Sequence, residues 1–268
     1  MNYWTQNHEN NIYVAGHRGL PARFPENTMP SFIAAAEAGI DQIETDVRIT
    51  KDGELVTIHD ATVDRTTNGS GRVCDFTLAE LKKLDAGSWK GAEFAGAQIP
   101  TFIEFMDCMK KYDVKTLDIE LKEYPVEGWE EISYSVCDRV LQILDDYGYT
   151  DRVVLNTFSG KLHEYIREKY GNKYRQHVYW PQHYLGEGYR LDPYSYAYCC
   201  CMFGDEQAET APKADFEYMR QRGIQPWAGA ACKNASDVDN AIAKGADLIT
   251  ANNPDEILRI LREKGYHE

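Results

Sequence analysis

The chain lacks three features: a long apolar stretch, a run of basic residues and any Cys-x-x-Cys pair. Without about 20 consecutive apolar residues, it has no candidate transmembrane helix. Its 29 Lys and Arg residues are outnumbered by 43 Asp and Glu residues, which gives a formal net charge of −14. An acidic surface without a basic patch does not attract nucleic acid or an anionic membrane. The sequence therefore predicts no nucleic-acid partner and no stable membrane association.

The seven cysteines are an odd number, and three of them are consecutive at 199–201. Successive residues of a strand face opposite sides, so these three are poorly placed to bridge one another. We expect buried thiols in a reducing compartment rather than a disulfide framework or a metal cluster.

The polar residues 1–10 contain no apolar signal region, which indicates a cytoplasmic protein. Export stays open as the alternative, because a signal peptide removed before Met1 would leave the same sequence.

Strand-like and helix-like segments alternate along most of the chain, which is typical of a parallel α/β arrangement. A length of 268 residues suits an α/β barrel, a fold that commonly takes about 250 residues. We therefore predict an α/β fold, a TIM (β/α)8 barrel, as a single domain over residues 1–268. Strands are predicted at 12–16, 42–47, 54–59, 115–120, 152–156, 176–180, 197–203, 223–228 and 247–250. Helices are predicted at 29–38, 101–112, 129–147, 160–170, 213–222, 235–244 and 255–263.

Nine predicted strands exceed the eight of such a barrel. The stretch from Asp46 to His59 is too short to hold a crossover helix between parallel strands. Either one βα unit is abbreviated or one predicted strand lies outside the barrel. Residues 61–98, after the third strand, break the alternation and are rich in Thr, Gly, Asp and Ser. We interpret them as a small insertion that caps one rim of the barrel.

Three carboxylates occupy predicted strand ends. Glu44 and Asp46 lie two residues apart in one strand, so both side chains project from the same face. Two carboxylates this close repel each other unless a cation lies between them. Glu120 ends a later strand and is a natural third ligand for a hard cation. We expect these residues to bind one divalent metal ion, Mg²⁺ or Ca²⁺ with Mn²⁺ as a third option; a pair of solvated surface acids is the alternative.

His17 and His59 each follow an apolar run and each precede a charged residue. A lone histidine there would more often be a hydrogen-bonded core residue, but two beside a metal site favour catalysis. One imidazole would remove a proton from an attacking oxygen, and the other would protonate a leaving alkoxide. Arg18 and Lys122 would neutralise charge on a phosphate. The alternative for each of these cations is a surface ion pair.

Seven motifs between residues 12 and 123 resemble the glycerophosphodiester phosphodiesterase family in their order and spacing. They are His17-Arg18-Gly19, Pro25-Glu26-Asn27-Thr28, Glu44-Thr45-Asp46, Thr50-Lys51-Asp52-Gly53, His59-Asp60, Arg65-Thr66-Thr67-Asn68-Gly69 and Glu120-Leu121-Lys122. The resemblance implies a TIM barrel with an insertion after the strand of His59. It also implies a metal held by Glu44, Asp46 and Glu120, acid–base catalysis by His17 and His59, and phosphate binding by Arg18 and Lys122.

The same resemblance implies a reaction. A small-molecule glycerophosphodiester would be hydrolysed to glycerol 3-phosphate and an alcohol, as in lipid and glycerol metabolism. The 2-hydroxyl of the substrate would attack phosphorus, and water would then open the resulting cyclic phosphate. In the C-terminal half, Asn156-Thr157-Phe158-Ser159 and Pro226-Trp227-Ala228-Gly229 approximate family elements, and 245–254 approximates the last-strand signature with Asn252 at the position of its Asp. Phe158 and Trp227 would then line the alcohol side of the pocket.

Two other functions compete with this interpretation. A related barrel phospholipase or lyase would act on a lipid phosphodiester, and the acidic charge argues against work at a lipid surface. A non-catalytic phosphoglycerol-binding protein would need the two cations but not two proton carriers. The sequence specifies neither the leaving alcohol nor an oligomeric state.

Overall fold

A computed structural model describes residues 11–207, 209–229 and 232–268; the polar segment 1–10, part of the predicted domain, lies outside the described residues. The strands are β1 (Tyr13–Gly16), β2 (Gln42–Ile49), β3 (Leu55–Thr57), β4 (Thr116–Leu121), β5 (Val153–Asn156), β6 (Arg175–Trp180), β7 (Cys199–Met202), β8 (Gln225–Ala228) and β9 (Leu248–Ala251). The α-helices are α1 (Met29–Glu37), α2 (Leu78–Leu81), α3 (Phe102–Lys111), α4 (Glu130–Tyr147), α5 (Gly160–Tyr170), α6 (Lys213–Gln221), α7 (Ala235–Lys244) and α8 (Pro254–Lys264).

Within the described ranges, eight parallel strands close into a barrel in the order β1-β2-β4-β5-β6-β7-β8-β9, with β9 pairing back to β1. The register brings the functional positions level with one another. Glu44 pairs with Asp118 and Asp46 pairs with Glu120, so the carboxylates lie side by side on β2 and β4. The predicted TIM barrel is confirmed.

The strand β3 lies outside the barrel. It pairs antiparallel with the end of β2, with Val47 opposite Thr57 and Ile49 opposite Leu55. A turn at residues 50–53 joins the two strands, because so short a connection can reverse the chain but cannot carry a crossover helix. The excess of nine strands over eight is therefore explained by this hairpin. The segment 61–98 follows the second strand of the barrel proper, between β3 and α3.

That segment has an apolar cluster of its own. Val56 and Ile58 pack with Val63, Val73 and Leu81 in a group separate from the main core. The helix α2 within the segment begins with a capping box between Thr77 and Glu80. The cluster packs the segment against the end of β3. This packing holds His59, which follows Ile58 of the cluster, at the rim of the barrel.

The barrel is filled and covered by apolar side chains. Residues on the outer faces of the strands pack against the helices in one large core, as Ile43 and Leu117 do with Phe32 and Phe105. A smaller cluster of Ala15, Val154, Cys199, Trp227 and Leu248 includes inward-facing residues of the barrel.

All seven cysteines are free thiols and six are buried, as expected. Among the described residues no helix is long and apolar enough to cross a bilayer.

Candidate active site

A cavity of about 580 Å³ lies at the carboxyl ends of the barrel strands. Its lining includes seven of the nine residues singled out from the sequence: His17, Arg18, Glu44, His59, Glu120, Lys122 and Phe158. Asp46 is fully buried next to Glu44 and Glu120. The catalytic face of a TIM barrel is built at this end of its strands, so the fold brings the predicted residues together where chemistry is expected.

A tight turn after β1 presents His17 and Arg18. Gly19 has φ of 91°, and a Cβ atom there would lie 2.4 Å from Ser31 Oγ and 2.7 Å from the backbone of Ser31. Arg18 itself adopts φ of 59°, a left-handed conformation that is unfavourable for a residue with a side chain. The turn is held in place because the backbone N–H of Arg18 donates to Glu44 Oε2 at 2.7 Å.

Glu44, Asp46 and Glu120 each offer an oxygen, and these oxygens lie within 4.8 Å of one another. Burial and repulsion from Asp46 raise the pKa of Glu44 well above its ordinary value, and burial also raises the pKa of Glu120. Burial acts in the same direction on Asp46, but Lys122 and Arg18 outweigh it and hold the pKa of Asp46 below its ordinary value. Ionisation of all three carboxylates is therefore unfavourable with the protein's own cations alone.

The three carboxylates fit a hard divalent cation. Oxygen donors from carboxylates are the ligands that Mg²⁺ and Ca²⁺ prefer. Glu44 Oε1 is buried and has no hydrogen-bond partner among the described residues. A buried carboxylate oxygen without a donor is unfavourable, and a cation at this position would remove that cost.

His17 is oriented by the last barrel strand. Its Nδ1 lies 2.7 Å from Asn252 Oδ1, so Nδ1 carries the proton and Nε2 is left as an acceptor. Burial, reinforced by the charge of Arg18, lowers the pKa of His17 to about 4. The imidazole is therefore neutral at pH 7 and able to accept a proton.

His59 is oriented by a chain of ionic contacts. Its Nδ1 lies 2.6 Å from Asp60 Oδ1, and Arg65 Nε donates to Asp60 Oδ2 at 2.7 Å. Arg65 also binds Glu26 through two contacts of 2.8 Å, and Glu26 accepts from Arg18 Nη1 at 2.8 Å. Burial lowers the pKa of His59 despite attraction from Asp46. The chain links His59 to Arg18, so the two ends of the site hold each other in position.

The two cations face the carboxylates. Arg18 Nε lies 3.3 Å from Asp46 Oδ2, and Lys122 Nζ lies 3.1 Å from Asp46 Oδ1 and contacts Glu120. Although burial opposes its charge, the neighbouring carboxylates raise the pKa of Lys122 above its ordinary value. Both side chains are therefore fixed in the cavity as permanent positive charges rather than as solvated surface cations.

The two predicted pocket residues have different positions. Phe158 lines the cavity and stacks on Tyr179 with ring centroids 3.8 Å apart. Trp227, which we expected to line the alcohol side, is instead buried in the barrel interior, 1% exposed, and is not part of the lining. The physical reason is its depth along β8, because the residue that reaches the cavity on this side is Gly229, which directly follows the strand and lies two positions after Trp227.

Sequence reasoning assigned no role to several residues of the site. Glu26, Asp60 and Arg65 belong to motifs that carried the family resemblance, so a signal for them was present. Asn252 carried the weaker signal of the last-strand signature. His177 gave none, since a histidine inside a strand is usually a core residue, yet it lines the cavity together with Asp118.

Comparison with known proteins agrees with this geometry. The glycerophosphoryl diester phosphodiesterase family model matches residues 17–186. A glycerophosphodiester phosphodiesterase of Caldanaerobacter subterraneus subsp. tengcongensis is 34% identical over 94% of this chain and 98% of its own. Glycerophosphodiester phosphodiesterase 1 of Mus musculus is 32% identical over 64% of this chain and 55% of its own.

Solved structures show the same fold. A phosphodiesterase of Oleispira antarctica, determined in complex with the product sn-glycerol-3-phosphate, is 24% identical to this chain. The comparison has a TM-score of 0.78 and covers 94% of this chain and 97% of the other. The matched motifs, the extent of the sequence similarity and the barrel together lead to one assignment: the chain belongs to the glycerophosphoryl diester phosphodiesterase family.

Proposed function

We propose that the chain hydrolyses small glycerophosphodiesters to glycerol 3-phosphate and an alcohol, in a reaction that depends on a divalent metal. The observation that carries the proposal is the pairing of two separately oriented histidines with a buried cluster of three carboxylates in one cavity. Asn252 fixes His17 and Asp60 fixes His59. Such a pair of positioned imidazoles serves proton transfer and is not needed for binding alone.

The phosphate group of the diester would be bound by Arg18 and Lys122. Their positive charges are already held in the cavity by Asp46, Glu120 and Glu26. Cations fixed before the substrate arrives stabilise developing negative charge without rearranging during the reaction. A divalent ion held by Glu44, Asp46 and Glu120 would withdraw further charge from the phosphate oxygens when bound.

The two histidines would move the protons. In the first step the 2-hydroxyl oxygen of the glycerol forms a bond to phosphorus while the bond from phosphorus to the alcohol oxygen breaks. One imidazole takes the hydroxyl proton, and the other gives a proton to the departing alkoxide. In the second step the roles reverse, and water opens the cyclic phosphate. Each histidine then returns to its starting protonation state.

The test is the release of glycerol 3-phosphate from glycerophosphoethanolamine, glycerophosphocholine and glycerophosphoglycerol. It is run with EDTA and with added Mg²⁺, Ca²⁺ or Mn²⁺. We expect release that EDTA abolishes and that one of the ions restores. His17→Ala and His59→Ala should each abolish turnover in a folded protein, whereas His183→Ala, which changes an exposed histidine outside the cavity lining, should not. Metal-independent release, or wild-type activity in a folded His17→Ala or His59→Ala variant, would contradict the proposal.

A further inference from the structure

Two buried polar residues line the cavity and take no part in the proton transfers or the carboxylate cluster. They are Asp118 on β4 and His177 on β6, whose side chains are 1% and 4% exposed. His177 Nδ1 lies 2.8 Å from Asp118 Oδ2. Both residues line the cavity, so this pair is part of the surface that a substrate meets.

The pair leaves polar atoms unused. In the described part of the chain, His177 Nε2 and Asp118 Oδ1 are buried without a hydrogen-bond partner. Asn156 Oδ1 is buried in the same way; Asn156 pairs with His177 in the sheet and also lines the cavity. Buried polar atoms are nearly always paired. Three unpaired atoms on adjacent strands therefore indicate a group that binds between them.

The pair lies on the wall of the cavity that one arm of the diester can reach. The strand β6 lies four strands from β1 in the closed barrel order, so His177 is on the wall opposite His17 and Arg18. Its ring lies 4.8 Å from the ring of Trp227 and 5.4 Å from that of Tyr179. A diester whose phosphate is held by Arg18 and Lys122 can extend one arm across the cavity to this wall.

We infer that Asp118 and His177, with Asn156, form a subsite for a hydroxyl group of the substrate; the inference rests on the proposed function. A hydroxyl both donates and accepts hydrogen bonds. Because His177 Nδ1 already faces Asp118 Oδ2, the hydroxyl can donate to one of the three atoms that have no partner among the described residues: His177 Nε2, Asp118 Oδ1 or Asn156 Oδ1. The hydroxyl belongs either to the third carbon of the glycerol moiety or to the leaving alcohol.

Three substrates separate these two sources. Glycerophosphoethanol is the reference. Its analogue with propane-1,2-diol in place of glycerol keeps the attacking 2-hydroxyl and lacks only the third one. Glycerophospho-ethylene glycol adds one hydroxyl to the leaving alcohol. A site built to bind a hydroxyl strongly disfavours an analogue without it, so we expect kcat/KM to differ by about tenfold or more across one of these two comparisons.

His177→Leu should reduce that preference to about threefold or less, because the leucine offers no polar atom and leaves Asp118 Oδ2 without the ring nitrogen that holds it. The matched control is His163→Leu. His163 is equally buried, but both of its ring nitrogens are bonded, to Gln176 Oε1 at 2.7 Å and to the Thr157 carbonyl at 3.1 Å, and it is not part of the cavity lining. The control should lose stability without losing the preference.

The wild-type protein alone decides the inference if His177→Leu fails to fold. Both wild-type ratios within about threefold would overturn the hydroxyl subsite and leave the proposed function intact. An unchanged preference in folded His177→Leu would also overturn it. No turnover of any of the three substrates with metal present would contradict the proposed function itself, and the subsite with it.

Discussion

At the scale of single residues, Glu44 is the proposed metal ligand whose surroundings most favour a cation. It is buried, one of its oxygens has no hydrogen-bond partner among the described residues, and its pKa is raised. Glu44→Ala removes one proposed ligand, and we expect the affinity for Mg²⁺ or Ca²⁺, measured by isothermal titration calorimetry, to fall by about tenfold or more. Glu54→Ala, a change at an exposed carboxylate outside the cavity, is the control. Equal affinities in the two variants would remove Glu44 from the ligand set.

In the proposed reaction, Asp60 would act through His59. Because Asp60 accepts from Nδ1 of His59, it keeps Nε2 available for proton transfer. We expect Asp60→Ala to lower kcat by about tenfold or more, with a smaller change in KM. The exposed Asp64, which bonds to Ser70, supplies the control variant Asp64→Ala with wild-type kinetics. A loss confined to KM in Asp60→Ala would indicate a role in binding instead.

Residues that act through a local motif were predictable, and residues that act through a distant partner were not. His17 follows β1, Glu44 lies within β2 and His59 follows β3, and each stands out along the chain as a polar residue beside apolar ones. Asp118 and His177 are 59 positions apart, and only the closed barrel brings them together. The prediction that Trp227 lines the cavity is wrong for a related reason. A strand pattern indicates which side of the sheet a residue faces but not how deep in the barrel it lies.

At the scale of elements, local signals defined the strands and the seven predicted helices to within about two residues, because capping residues and turns mark their ends. The helix α3 is an example: Thr101 accepts from the backbone of Glu104, and Glu104 binds the backbone N–H of Thr101 in return. The hairpin of β2 and β3 was harder to place. The sequence showed a third apolar run but could not show that it pairs antiparallel outside the barrel.

The capping box of α3 supports a prediction at this scale. Thr101→Ala removes the acceptor at the helix N-terminus, and we expect it to lower the free energy of unfolding by about 1 kcal/mol. Urea denaturation measures the change, and kcat should stay at the wild-type value because α3 lies on the outside of the barrel. Thr77→Ala breaks the same motif on the four-residue helix α2. We expect a smaller loss there, and equal losses would mean that helix length does not matter.

At the scale of the whole molecule, an ionic cluster around the buried Asp41 joins the amino ends of the barrel strands to the C-terminal segment. Asp41, just before β2, accepts from the backbone N–H of Val14 at 2.9 Å and pairs with Lys115 at 3.1 Å. His267, after α8, lies 2.9 Å from Asp41 through Nε2. The cluster spans 226 positions of sequence at its widest contact. It therefore contributes to closing the barrel, and no local sequence pattern predicts it.

The charges in this cluster make stability depend on pH. Burial opposes ionisation of both partners, but their mutual attraction outweighs it, so the pKa of His267 is raised above 6.5 and that of Asp41 is lowered below 3.8. The contribution of His267 is fully present below about pH 6.5 and is lost as pH rises through its raised pKa. The contribution of Asp41 is present above about pH 3.8 and is lost as pH falls through its lowered pKa.

His267→Ala should therefore reduce the free energy of unfolding more at pH 5.5 than at pH 9, because the charged pair is fully formed in the wild-type protein at the lower pH and is lost as pH rises through the raised pKa of His267. Urea denaturation of both proteins at the two pH values measures the difference. His183→Ala, at an exposed histidine outside this cluster, should give the same small difference at both. A loss in His267→Ala that does not change with pH would mean that packing, rather than the ion pair with Asp41, joins the C-terminal segment to the barrel.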